Sequence, residues 1–260
     1  MNNIIKAQFY QLRRSGFIMR VFLLFILALA LVSCLEIMND DGTASSLIVG
    51  SYSMAFVFPI MMMGLFVSCF VGEDFSDQTA NYELLIGHSR FESFFARAVP
   101  AVIVTSVGCG ILSFVPLIVG KLFFPWGDAI SLSNAIIRNM LYFFPFLRLA
   151  AFLTMLSFVV RNQYFPIIMG FVFDIMHGIL SDSVSDNKNF LTSFYNFNLI
   201  GDCETIRTYN LDPVKGIVNY YAYDTAIDRK MIVGTIVVSL LVAAIYLIIG
   251  YAFYRREEIK

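Results

Sequence analysis

Residues 231–254 read MIVGTIVVSLLVAAIYLIIGYAFY, a stretch without a charged side chain, set between Arg229-Lys230 and Arg255-Arg256. As a helix rising about 1.5 Å per residue it covers roughly 36 Å, enough to cross the hydrocarbon layer of a bilayer. Working outward, five more apolar runs of comparable character occur: Phe17 to Leu35, Leu47 to Val71, Ala98 to Phe124, Ala135 to Val160 and Tyr164 to Leu180. The expected fold is therefore an all-α integral membrane protein with six transmembrane helices over residues 17–260. Composition agrees, with 58% hydrophobic and 14% charged residues and a net charge of −1. The mean hydropathy of +0.75 is also far from that of a water-soluble domain. Pro59, Pro100, Pro116, Pro145 and Pro166 fall inside these runs and are expected to kink the spans, not to end them.

Lys and Arg flanking a span are retained on the cytoplasmic side. With the N-terminus inside, Lys6, Arg13, Arg14, Arg20, Arg90, Arg97, Arg161, Arg255, Arg256 and Lys260 all become cytoplasmic, while Arg229 and Lys230 fall outside. Both termini are thus expected inside. Residues 1–16 precede the first span, and Ile5, Phe9 and Leu12 recur there at helical spacing with Lys6, Arg13 and Arg14 largely off the stripe. This is the pattern of an amphipathic interfacial helix, or of a basic topogenic tail. The run ending Leu31-Val32-Ser33-Cys34 has the look of a lipoprotein signal, but the chain continues from it into further apolar spans and not into a soluble domain. Cys34, Cys69 and Cys109 belong to spans and Cys203 to a loop, so no disulfide framework is implied, although Cys34 and Cys203 share the outer side.

Residues 181–230 form a connection of about 50 residues, too long to be a simple tether. It is expected outside the membrane. It holds Phe190, Phe194, Tyr195, Phe197, Tyr209, Tyr220, Tyr221 and Tyr223. Aromatics at that density pack on one another, on the interface or on a ligand, either as a small extracellular cap or as a lid over a pathway. Phe190, Phe194, Tyr195, Tyr220 and Tyr221 are the candidate gate residues. Ionisable side chains within spans are costly and mark candidate sites. The fourth span carries Arg138 and Arg148, the fifth Asp174 and His177. Arg148 and Asp174 are expected at similar depth, as a helix-to-helix staple or as part of a polar pathway.

The cytoplasmic connection 73–97 is mixed in charge and partly helical in pattern, and its apolar residues, Tyr82, Leu85, Ile86, Phe94 and Phe95, suit a partner better than solvent. An acidic residue ends the second span, followed by a Thr, a Leu pair, Ser-Arg and a basic residue where the third span begins: Glu73, Thr79, Leu84 and Leu85, Ser89 and Arg90, and Arg97. In that order the segment resembles the corresponding loop of ABC-2 type permeases, with Gln78 and Gly87 standing where the family usually has Gly and Pro. The family is also similar in its basic N-terminal helix, six spans, internal termini and enlarged last outer loop. The resemblance implies the permease subunit of an ABC exporter in a bacterial cytoplasmic membrane. It pairs with a second six-span permease and docks cytoplasmic ATPase subunits, which hold ATP and Mg, through residues 73–97, Tyr82 included. Small permeases of this kind export peptides or protect producer cells from bacteriocins.

Consistent with that division of labour, the chain has no G-x-x-x-x-G-K-[ST] phosphate loop and no H-E-x-x-H, and only two histidines, His88 and His177. No catalytic residue, metal or cofactor of its own is expected, and nucleic acid is not an expected partner. A polar-poor interior rich in Phe and Met suits an amphipathic cargo interacting among membrane lipids. Two other classes compete: an ion-coupled secondary transporter using Asp174 and His177, and a sensor or assembly subunit using the aromatic outer loop.

Overall fold

The computed structural model describes residues 2–14, 16–39, 43–49, 53–76, 85–173, 206 and 227–256, with backbone alone at 2–3, 48–49, 53–57, 74 and 76. Among the described residues the chain is helical, without strands. The helices are α1 (Asn2–Arg14), α2 (Gly16–Asn39), α3 (Ala44–Val49), α4 (Ser53–Val67), α5 (Glu73–Ser76), α6 (Arg90–Phe123), α7 (Leu132–Leu141), α8 (Phe143–Val160), α9 (165–173) and α10 (Arg229–Arg256). A π-helical turn, Ser68–Gly72, joins α4 to α5. Among the described residues four stretches are long and apolar enough to cross a membrane: α2, α6, α7 with α8, and α10; Phe58–Gly72 is a shorter apolar helix.

The core lies where α4, α6 and α8 meet, around Met62, Met63, Phe66, Leu112, Phe146 and Leu153, all buried. α2 and α10 flank it, α10 lying along α8 and against α6. At the end of the bundle where α2 starts, α1 packs on α6 and on the π-turn as well as on α2. At the far end, α3 is tied to the α6–α7 connection, with Ala44 N donating to Pro125 O at 3.0 Å and Ser45 N to Trp126 O at 2.7 Å.

Two helices approach so closely that side chains have no room. A Cβ on Gly64 would lie 2.6 Å from Pro166 O, and one on Gly72 2.6 Å from Gln163 Cα. Ser68, between them, donates its hydroxyl to Gln163 O at 2.6 Å. Gly64, Ser68 and Gly72 thus form a small-residue seam of the kind that brings membrane helices together, where dispersion and hydrogen bonds replace a hydrophobic drive.

Three expectations from sequence are corrected. The third span begins at Arg90, not at Ala98, because Ser89 caps the helix by accepting from Glu92 N at 3.2 Å and Glu92 adds an acid to the first turn. Within the connection expected to be partly helical, residues 90–97 are thus part of the α6 helix. Pro166 starts a helix instead of kinking one: Arg161 ends α8 in the left-handed region at φ 54°, Asn162 Oδ1 accepts from Tyr164 N at 2.8 Å, and Pro166 enters the first turn of α9, where its missing N–H costs nothing. Finally, the packed face of α1 is Ile4, Gln8, Gln11 and Leu12, with Phe9 mostly outside it. Pro59 sits inside α4. Pro100 and Pro116 sit inside an unbroken α6. Pro145 cannot donate to Leu141 O, and the fourth span is interrupted between these two residues, at Tyr142.

Candidate functional site at the basic end of the bundle

The ends of α1, α5, α6, α8 and α10 converge, and aromatic rings fill the space between them. Phe94 of α6 stacks at 4.4 Å on Phe158 of α8 and lies 6.0 Å from Tyr254 of α10; Phe75 of α5 meets Phe158 edge-on at 5.4 Å. Such pairs prefer tilted or edge-to-face contact, which fixes the relative rotation of the helices that carry them. The Arg161 guanidinium caps the cluster, 5.6 Å from the Phe75 ring and 5.8 Å from that of Tyr254. Eight of the chain's cations lie on these elements: Arg90 and Arg97 on α6, Arg161 after α8, Arg255 and Arg256 at the end of α10, and Lys6, Arg13 and Arg14 on α1.

Glu73, the first residue after the π-turn, accepts from Gln11 Nε2 of α1 at 2.8 Å. Ser89 is the cap of α6, and Arg90 reaches across to donate through Nη1 to Arg255 O at 2.7 Å. A cation on the last carbonyls of a helix offsets the partial negative charge there. His88 Nδ1 stands 3.6 Å from Glu92 Oε2. Arg97 is placed differently from a docking contact: it is 1% exposed, and its Nη1 donates to Ser93 Oγ at 2.6 Å and to Ser93 O at 3.2 Å. Ser93 Oγ is in turn 3.2 Å from Tyr254 Oη, so the buried guanidinium is held in a polar chain linking α6 to α10. Leu85 and Ile86, by contrast, are 71% and 80% exposed just ahead of α6. Thr79, Tyr82 and Leu84 lie outside the described residues.

Of the intramembrane candidates, Arg138 and Arg148 are described. Arg148 is buried on α8. Asp174 and His177 lie outside the described residues, as do Phe190, Phe194, Tyr195, Tyr220 and Tyr221. Arg138 is buried on α7, where Nε donates to Asn134 Oδ1 at 3.1 Å and Nη1 to Ile206 O at 2.6 Å. Ile206 itself is fully buried in the main core cluster, so at this point the long connection packs on the bundle. Cys34, Cys69 and Cys109 are free thiols, and Cys203 lies outside the described residues.

Sequence reasoning missed Gln11, Ser93, Arg161 and Tyr254. Gln11 had a readable signal, since it and Gln8 are polar residues on the face of α1 that also holds Ile4 and Leu12. Among the described residues no group of His, Cys, Asp and Glu is set to hold a metal ion. No family model matches the chain, and no curated protein matches it.

Proposed function

We propose that this chain is the membrane-spanning subunit of an ATP-driven exporter of the ABC-2 type. Six crossings are made by α2, by α4 with its π-turn, by α6, by α7 with α8, by the apolar run Tyr164 to Leu180 to which α9 belongs, and by α10. The basic end faces the bacterial cytoplasm, both termini included, and residues 181–230 lie outside. The observation that carries the reading is the exposed Leu85-Ile86 pair at the basic end, at the start of α6. Apolar side chains of that exposure in an aqueous compartment favour a partner surface. They stand on the segment whose pattern, Glu73 through Ser89-Arg90, resembles the ATPase-docking loop of those permeases. Further support comes from the aromatic cluster behind that segment, which joins α5 to α6, α8 and α10 and so gives a push on the loop a rigid path into three spans.

In this mechanism the chain hydrolyses nothing itself. Partner ATPases hold ATP and Mg; their closure moves the segment from Glu73 to Ser89, and two permease subunits rock between inward- and outward-open states around an amphipathic cargo. The apolar interior suits an amphipathic or apolar cargo, and the family resemblance implies a peptide, exported or expelled in bacteriocin immunity. The test is purification in mild detergent with ATPase assay of the eluate. A co-purifying subunit bearing a phosphate-binding loop, with vanadate-sensitive hydrolysis, is the expected result; an ATPase-free oligomer that retains transport overturns the proposal.

A further inference from the structure

Helix α1 has two faces of different chemistry. Toward the bundle it presents Ile4, Gln8, Gln11 and Leu12, and Leu12 packs against both the main core cluster and the aromatic cluster. Away from the bundle it presents Lys6, Tyr10, Arg13 and Arg14, all exposed, with half-exposed Phe9 at the border of the two faces, and Phe17 continues that exposed surface at the start of α2. The first turn of the helix holds no acid, and its last turn holds Arg13 and Arg14. Cations spaced among aromatic rings on one face match the chemistry of a bilayer surface, where phosphates lie above an interfacial zone that takes up Tyr and Phe. The absence of any acidic side chain from Asn2 to Arg14 makes that surface selective for net negative headgroups over zwitterionic ones.

The packed face connects this surface to the end of α4. Gln11 Nε2 donates to Glu73 Oε2 at 2.8 Å, and Phe9 meets Phe70, inside the π-turn, edge-on at 6.4 Å. The π-turn is the place in α4 where the helical ladder departs from regularity, and a one-turn irregularity of that kind is a natural point of adjustment. A shift of α1 toward or away from the headgroups is therefore passed to Glu73 and the turn before it through the Gln11 hydrogen bond, with the ring contact as packing beside it.

We propose that α1 is a sensor of anionic lipid headgroups, wired through Gln11 to Glu73 and so to the π-turn that ends α4. This goes beyond the exporter reading and does not depend on it, because the ligand is lipid and the readout is the chain itself.

The full chain, purified in mild detergent, is titrated with phosphatidylglycerol and with phosphatidylcholine of matched acyl chains, and bound lipid is counted by native mass spectrometry. Phosphatidylglycerol is expected to bind on the order of tenfold or more tighter, with the preference lost in the triple variant Lys6→Gln, Arg13→Gln, Arg14→Gln and kept in Arg255→Gln, Arg256→Gln. In nanodiscs, hydrogen exchange over residues 68–76 is expected to slow several-fold when phosphatidylglycerol replaces phosphatidylcholine. Gln11→Leu, which leaves the lipid-facing side intact, should keep the lipid preference and lose that response. Equal affinity for the two lipids, or a preference that survives the triple variant, overturns the sensor. An unchanged exchange rate in the parent chain, or a response that persists in Gln11→Leu, overturns the wiring. Thermal melting of each variant in phosphatidylcholine verifies that the fold is intact before either conclusion is drawn.

Discussion

Helices α2 and α10 differ from α6 and α8 in a way that reverses the rule for water-soluble proteins. In α6 and in the α7–α8 stretch 61% of the most apolar window is buried in the bundle, against 17% in α2 and in α10, yet α2 and α10 are the more apolar pair. Lipid tails are as apolar as leucine, so nothing drives the greasiest helices inward, and small and polar side chains share the interior with the Met, Phe and Leu core. Buried positions of α6 include Ser93, Arg97, Thr105, Ser106, Gly108, Cys109 and Ser113; those of α8 include Arg148, Thr154 and Ser157. Several of the hydroxyls are satisfied within their own helix, as with Ser106 on Val102 O at 2.6 Å and Ser157 on Leu153 O at 2.9 Å. Four of the buried residues of α10 follow the same logic on one narrow stripe, Thr235, Ser239, Ala243 and Gly250, with Tyr254 buried at its end, while Val233, Leu241, Ile245 and Ile248 face outward.

Four substitutions put this contrast between inner and outer helices at risk. Leu112→Ala opens a cavity in the middle of α6, at a fully buried side chain, and is expected to cost about 2–5 kcal/mol in a reversible unfolding assay in detergent. A loss no larger than that of the outward-facing control, Leu241→Ala, would contradict the assignment of α6 to the interior. Arg138→Met removes the donors to Asn134 and Ile206 and should cost about 1.5–3 kcal/mol, with faster hydrogen exchange at Ile206; an unaltered rate at residue 206 would contradict that tether. Tyr254→Phe deletes one partner of Ser93 while leaving the ring packed, for an expected loss of about 1 kcal/mol in the same unfolding assay. Leu241→Ala, on the outward face of α10, should change the melting temperature by the equivalent of about 0.5 kcal/mol or less. A large effect there would mean that this face is covered by protein and not by lipid.

The positions of the long helices were legible because the signal is local: twenty or so apolar residues in succession announce themselves without reference to any neighbour. The start of α6 was legible in principle, since Ser89 and Glu92 stand at capping-box spacing, but the charges from Arg90 to Arg97 masked the helix beneath them. What the prolines do was not legible. Pro145 and Pro166 look alike in sequence, and only the left-handed Arg161 and the Asn162 turn make one a break and the other a beginning. The π-turn and the Gly64-Ser68-Gly72 seam depend on the close approach of residues 163–167, a contact between segments far apart in the chain. At the candidate site, Glu73, Ser89 and Arg90 were found from a short pattern, whereas Gln11, Ser93, Arg161 and Tyr254 acquire their roles only once five helix ends meet. Arg97 illustrates the limit: a basic residue at a span boundary reads as a surface group, and a serine one turn earlier together with a tyrosine from the last helix turns it inward.

Docking of an ATPase on the basic end is tested by site-specific photo-crosslinking in living cells, with the reactive group placed at Ile86 on that end and, separately, at Leu122 on the far end, both exposed positions. The expected result is a covalent adduct between position 86 and an ATPase bearing a phosphate-binding loop, its yield changing when nucleotide is depleted, and none from position 122. An adduct with such an ATPase from position 122, or no ATPase at position 86 in cells that transport normally, would contradict the exporter assignment.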